Sequence, residues 1–109
     1  MFPRWEHANL RCVRVFNRGT IRRYCVAHPP AANQLRAWFK DAEGTDWATT
    51  ADVRARYATA SIVNAQRVVF NIQGNNYRLI VSINYRFRAI YIRWFGTHAQ
   101  YNNVNAATI

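Results

Sequence analysis

The second half of the sequence alternates apolar and polar residues in three stretches with short connections, while the first half repeats apolar residues at helical spacing. Together these predict an α+β fold, a small antiparallel β-sheet with helices packed on one face. A third observation narrows the chemistry. All five carboxylates (Glu6, Asp41, Glu43, Asp46, Asp52) lie in the first 52 residues, and residues 53–109 hold seven arginines and no acid.

Each element has its own signal. Residues 1–12 show neither period and are expected to be an N-terminal extension outside a single domain at 13–109. Val13-Arg14-Val15-Phe16 alternates and suits a short strand. Residues 17–20 break it and offer capping side chains. Ile21, Tyr24, Cys25 and His28 then fall at i, i+3, i+4 and i+7, one face of a helix. Pro29-Pro30 closes that helix and opens the next. Leu35, Trp38, Phe39 and Ala42 repeat the spacing, which predicts a second amphipathic helix over 30–43. Residues 44–50 read as a loop in which Trp47 plugs the core. Thr50-Ala51-Asp52 starts a short helix running to Tyr57, and 58–65 reads as another loop.

Three strands follow at 67–73, 76–85 and 89–97, rich in Val, Ile, Tyr, Phe and Trp. Gly74-Asn75 turns the first into the second, and 85–88 joins the second to the third. Connections this short make the strands antiparallel neighbours. Alternation puts Val68, Phe70, Ile72, Tyr77, Leu79, Val81, Ile83, Ile90, Ile92 and Trp94 on the core face. It puts Arg67, Asn71, Gln73, Asn76, Arg78, Ser82, Asn84, Tyr91, Arg93 and Thr97 on the other. A polar outer face is ordinary in such a sheet. One without carboxylates suits a phosphate-rich ligand.

The chain carries a formal charge of +10 on 109 residues, and 14 of its 15 basic residues are arginine. Arginine grips phosphate with a planar fork and stacks on bases, so the expected partner is nucleic acid. No apolar run is long enough to span a bilayer and no secretory stretch opens the chain, so a cytoplasmic location is expected. Cys12 and Cys25 have no metal-binding spacing, and Cys25 reads as a small buried hydrophobe. His7 and His28 have no reactive neighbours in sequence.

The missing acids exclude several mechanisms. A paired-carboxylate hydrolase needs two positioned acids, a two-metal nuclease needs carboxylate ligands, and a Ser-His-Asp triad has no motif here. Metal-free RNA cleavage fits better, because the RNA 2′-hydroxyl is its own nucleophile. The protein then supplies a proton acceptor, a proton donor and cationic stabilisation of the phosphate. The chemistry-bearing residues concentrate in 70–79 and 91–101. His98 and Tyr101 are candidate proton-transfer groups, and Arg78 and Arg93 candidate electrostatic stabilisers. Arg67, Asn71, Asn76, Arg78 and Tyr91 are candidate RNA contacts. A histidine beside a strand end is more often structural than catalytic, so the set counts for more than its members.

These two segments resemble the HigB family of type II toxins, in the RelE/ParE superfamily. The strings that carry the likeness are Val68-Val69-Phe70-Asn71-Ile72-Gln73-Gly74-Asn75-Asn76-Tyr77-Arg78-Leu79 and Ile92-Arg93-Trp94-Phe95-Gly96-Thr97-His98-Ala99-Gln100-Tyr101. His28-Pro29, Leu35-Arg36-Ala37-Trp38-Phe39-Lys40, Asp46-Trp47 and Ala106-Ala107-Thr108-Ile109 support it. The resemblance implies a metal-independent mRNA interferase without cofactor, acting on ribosome-bound mRNA. It also implies restraint by a HigA-type helix-turn-helix antitoxin, through which alone DNA would be contacted. Arg78, Arg93, His98 and Tyr101 match positions implicated in RNA binding or cleavage, and Asn71 a recurring polar position. Three departures stand out: residues 1–12 have no counterpart, relatives carry acids where this chain has Gln100, Asn102, Asn105 and Ala107, and relatives use more Lys. The rival readings are a non-catalytic RNA- or ribosome-binding inhibitor of translation and a ParE-like gyrase poison.

Overall fold

The computed structural model describes residues 14–16 and 18–109. In chain order the elements are β1 (Arg14–Phe16), α1 (Arg18–Ala27), a 3₁₀ turn (Pro29–Ala31), α2 (Ala32–Glu43), α3 (Thr50–Arg56), β2 (Ser61–Ile62), β3 (Arg67–Ile72), β4 (Tyr77–Asn84), β5 (Ala89–Thr97) and α4 (His98–Tyr101). The sheet order is β1-β5-β4-β3-β2. Four strands are antiparallel, and β1 joins the edge of β5 in parallel. The α+β architecture expected from sequence is present. Val13, Asn17 and the expected extension at 1–12 lie outside the described residues.

Local chemistry accounts for the helix ends. Pro29 and Pro30 form the 3₁₀ turn that feeds α2, which stops at Gly44. Helix α3 starts with a capping box: the Asp52 N–H donates to Thr49 Oγ1 at 3.3 Å and the Thr49 N–H donates to Asp52 Oδ2 at 3.1 Å. The cap is therefore Thr49, and this arrangement satisfies two otherwise orphaned donors. Leu35, Trp38 and Ala42 of α2, with Ile21 and Cys25 of α1, bury against Val68, Phe70, Leu79, Val81, Ile83, Ile90 and Ile92. Trp47 fills the core as expected, stacking on Phe70 at 5.8 Å.

Three elements escape a local reading. The parallel β1–β5 pairing joins segments more than 70 residues apart, and nothing near β1 signals its partner. Strand β2 pairs Ser61 with Val69 and Ile62 with Val68 inside a stretch expected to be loop, and two residues are too few to show a period. Helix α4 is a single turn, capped by Thr97 and Gln100 in a second capping box.

One register shift corrects the assignment of faces. Ile80 pairs with Trp94 but Val81 pairs with Ile92, so Arg93 faces no partner and forms a β-bulge. A bulge adds one residue to one strand and inverts the alternation beyond it. Trp94 therefore leaves the expected core face and joins Val69, Ile80 and Ala106 on the opposite side, while Phe95 enters the main core. Thr97 likewise pairs with Tyr77 rather than sharing the face of Arg78. The face expected to be wholly polar and open carries a second apolar cluster, completed by Tyr101, Val104 and Ile109.

The β3–β4 turn is also wider than a two-residue hairpin. Its last ladder pair is Ile72–Tyr77, and the Asn76 N–H donates to the Gln73 carbonyl at 3.2 Å. Gln73 and Gly74 both adopt positive φ (55° and 63°), which only the glycine accepts without strain.

Tyr57 links α3 to α2 and the sheet. Its hydroxyl donates to Asp41 Oδ2 at 2.7 Å, and its ring meets Phe70 edge-on at 5.2 Å. Burial and the adjacent Asp41 carboxylate raise its pKa well above the ordinary 10.0, and burial raises Tyr24 and Tyr85 as well. A native pKa above the unfolded value means that the folded state holds the proton longer. That stabilisation is complete below pH 10 and is lost as pH climbs from there through the raised value. The thermal midpoint should thus fall steeply above pH 10. Tyr57→Phe should lower the midpoint at pH 8 but flatten its decline between pH 10 and 12. Parallel declines in the two proteins would show that Tyr57 is not the titrating group.

Candidate nucleic-acid interface

Cross-strand pairing lays the polar-face residues out in three rows. Asn71, Arg78 and Gly96 form one, Val69, Ile80 and Trp94 the next, and Arg67, Ser82 and Tyr91 the third. The middle row is apolar and is covered by Tyr101, Val104, Ala106 and Ile109. The segment after α4 therefore crosses the sheet and separates Arg78 from Arg67. These two lie four residues apart in register along β4, about 13 Å at strand rise.

The first row adjoins the turn and α4, and here the structure gathers most of the candidates. The half-buried Arg78 donates from Nη1 to the Asn75 carbonyl at 2.9 Å and from Nη2 to Asn75 Oδ1 at 3.1 Å. Its guanidinium lies over the Tyr101 ring, 5.7 Å from the centroid. Tyr101 in turn contacts Trp94, with ring centroids 6.4 Å apart and tilted by 46°. The His98 N–H donates to the Asn76 carbonyl at 2.9 Å, pinning the start of α4 to the turn. The exposed side chain of His98 opens the helix directly after its cap. Asn71 donates weakly to the Thr59 carbonyl, at 3.5 Å.

Arg93 stands apart, at the bulge. It is exposed, and its side chain makes no hydrogen bond or ion pair among the described residues. Gly96, which pairs with Arg78, lies three residues further along β5, so the two arginines are on the order of 10 Å apart by strand rise. Arg67 is not brought to this group. Its Nη2 donates to the Ile109 carbonyl at 3.0 Å and its Nε is buried without a partner. Tyr91 shares the third row with Arg67, away from α4.

Sequence reading missed several residues on which the arrangement depends. Asn75 holds the Arg78 fork. Trp94 supports Tyr101, and its adjacency to Phe95 breaks strict alternation, which was the available sign of a bulge. Gly96 permits a close approach: a Cβ there would lie 2.6 Å from Trp94 Cη2 and 2.6 Å from Gln100 Oε1. His28, which had no reactive neighbours in sequence, sits on the core side among rings, edge-on to Tyr77 and Phe95 at 5.4 Å each. His7 lies outside the described residues.

The electrostatics are one-sided. Asp41 is bound to Arg56 and Tyr57, Asp46 to Arg88, and Asp52 caps α3. All of these belong to the helical half or to the far hairpin. Among the described residues Arg78 is thus held by neutral groups, with the Tyr101 ring beside it. Cations and stacking surfaces in this combination take a single-stranded polynucleotide. Among the described residues no three His, Cys, Asp or Glu side chains converge as a metal site, and no helix is long and apolar enough to cross a membrane.

A family model described as HigB_toxin, RelE-like toxic component of a toxin-antitoxin system, matches residues 31–104. That span contains the turn, the bulge, Arg78, Arg93, His98 and Tyr101. No curated protein matches the chain.

The glycine contact generates a test. Gly96→Ala should cost about 1–3 kcal/mol through overpacking, lowering the thermal midpoint by roughly 4–8 °C per kcal/mol. Gly74→Ala meets open space and should cost less, through positive φ alone. Calorimetry on the two variants checks the order, and a harmless Gly96→Ala would contradict the packing described.

Proposed function

Since this chain belongs to the HigB_toxin family of RelE-like toxic components of toxin-antitoxin systems, we propose that it is a metal-independent mRNA endonuclease acting on ribosome-bound mRNA in the cytoplasm. The observation that carries this reading is the Arg78–Tyr101 stack at the start of α4, flanked by His98 and lacking any carboxylate. In the proposed reaction the RNA 2′-oxygen bonds to the adjacent phosphorus while the bond from phosphorus to the 5′-oxygen breaks. His98 and Tyr101 carry the proton transfers, one accepting the 2′-hydroxyl proton and the other donating a proton to the departing 5′-oxygen. Arg93 and Arg78 offset the charge that develops on the phosphate, and such preorganised cations are worth most where water is excluded. Asn71 and Asn76 border the RNA path. Arg67 and Tyr91 would meet the strand further along the sheet, and Arg67 would have to release Ile109 to do so. A HigA-type antitoxin restrains the toxin.

A non-catalytic RNA-binding inhibitor is favoured by one observation, the aromatic pair Trp94–Tyr101, which is suited to stacking without chemistry. Primer extension on mRNA recovered from a translating extract separates the readings. Discrete cuts that persist in chelator support the nuclease. Stalling without cuts supports the binder, and intact mRNA with DNA-damage signalling supports a gyrase poison.

Arg93→Ala and His98→Ala should each relieve growth arrest at matched expression while leaving the thermal midpoint within a few degrees of wild type, since both side chains are exposed. Losing one electrostatic stabiliser should slow cleavage about 10²–10³-fold. Full toxicity in both variants would place the reaction elsewhere.

A further inference from the structure

The guanidinium of Arg78 is held along one edge. Its Nη1 donates to the Asn75 carbonyl at 2.9 Å and to the Tyr77 carbonyl at 3.3 Å, and its Nη2 donates to Asn75 Oδ1 at 3.1 Å. The outer end of the fork is thus taken up by Asn75. A guanidinium carries five N–H groups in a fixed plane. The Nε–H and the second Nη2–H make no hydrogen bond among the described residues. They lie side by side on the remaining edge, at the spacing that matches two oxygens of a phosphate. The Tyr101 ring meets the same group at 5.7 Å. Asn75 is held in its turn by the β3–β4 connection. There the Gln73 N–H donates to Gln34 Oε1 of α2 at 2.5 Å, and the Asn76 carbonyl accepts the His98 N–H at 2.9 Å.

We propose that Asn75 is a positioning residue, which clamps the Nη1/Nη2 edge of Arg78 through neutral oxygens so that the Nε/Nη2 edge meets one phosphate of single-stranded RNA as a bidentate fork. The neutrality of the clamp is part of its function. A carboxylate in the same place would hold the fork more tightly, by a charge-assisted bond, and would offset the charge that the phosphate requires. Asn75 acts through Arg78 and takes no part in proton transfer. The inference rests on the RNA-cleaving reading of this face. A purely structural Asn75 makes a different prediction. The turn accepts Asp as readily as Asn, and RNA would be indifferent to the exchange.

The test uses the full chain and a fluorescent single-stranded RNA oligonucleotide with 2′-O-methyl riboses, which cannot be cut. Asn75→Asp should keep the thermal midpoint within a few degrees of wild type and weaken binding at least about 10-fold. It should also lower the slope of log affinity against log salt by about 0.7, the share of one phosphate contact on a single strand. Asn75→Ala keeps the backbone acceptor and loses Oδ1, so it should weaken binding about 3–10-fold. On an Arg78→Ala background the same Asn75→Ala change should have no effect, because its partner is gone. This cycle decides the question even if the Asp variant unfolds. Wild-type affinity in Asn75→Asp, or an Asn75→Ala loss undiminished on the Arg78→Ala background, would overturn the proposal. Failure of the wild type to bind the oligonucleotide would overturn it too, whether or not ribosome-bound mRNA is cut. Uncut ribosome-bound mRNA with the oligonucleotide results as expected would remove the nuclease reading and leave the role of Asn75 toward RNA standing.

Discussion

The unpaired residue at Arg93 is the constraint on which the outer face of the sheet depends. Without it, strict alternation would bury Trp94 in the main core and turn Phe95 outward. With it, Ile80 meets Trp94 and Val81 meets Ile92, so a large aromatic ring stands on each side of the same strand. Phe95 then completes the ring cluster of Tyr24, His28 and Tyr77 on the helical side. A one-residue insertion thus fixes two packing problems together, at the cost of one irregular point in the ladder.

Trp94 on the outer face creates the floor for everything after β5. The chain has to bury that ring, and it does so by turning through α4 and laying Tyr101, Val104, Ala106 and Ile109 across the Val69–Ile80–Trp94 row. Tyr101 lands over Arg78 as a result, and the Arg67 fork closes on Ile109 at the other margin. Two arginines that look equivalent in the sequence therefore acquire different work. One is presented beside an aromatic surface, and the other secures the covering segment.

The remaining carboxylates are spent on the helical half, where they cap α3 and tie α2 to α3 and Trp47's loop to the far hairpin. This leaves the molecule with chemically distinct sides. Among the described residues the outer face offers cations with rings and no acid beside them. The helical side offers an apolar groove between α1 and α2 flanked by arginine.

By itself the sequence determined the α+β class, the two amphipathic helices, the three long strands, Trp47 as a core plug and the absence of acid from the basic half. Each of these is written in local spacing or in composition, which hydrophobic burial reads directly. It also placed Arg78, His98 and Tyr101 near one another, because all three flank the turn and the end of β5. Only the tertiary structure decided which face Trp94 takes, that Arg67 is occupied by Ile109, that β1 runs parallel to β5, and that His28 sits among aromatic rings. Each depends on contacts between residues distant in sequence, or on a one-residue shift of register. Alternation counts residues along one strand, whereas register is set by the partner strand and by the need to bury both Trp94 and Phe95.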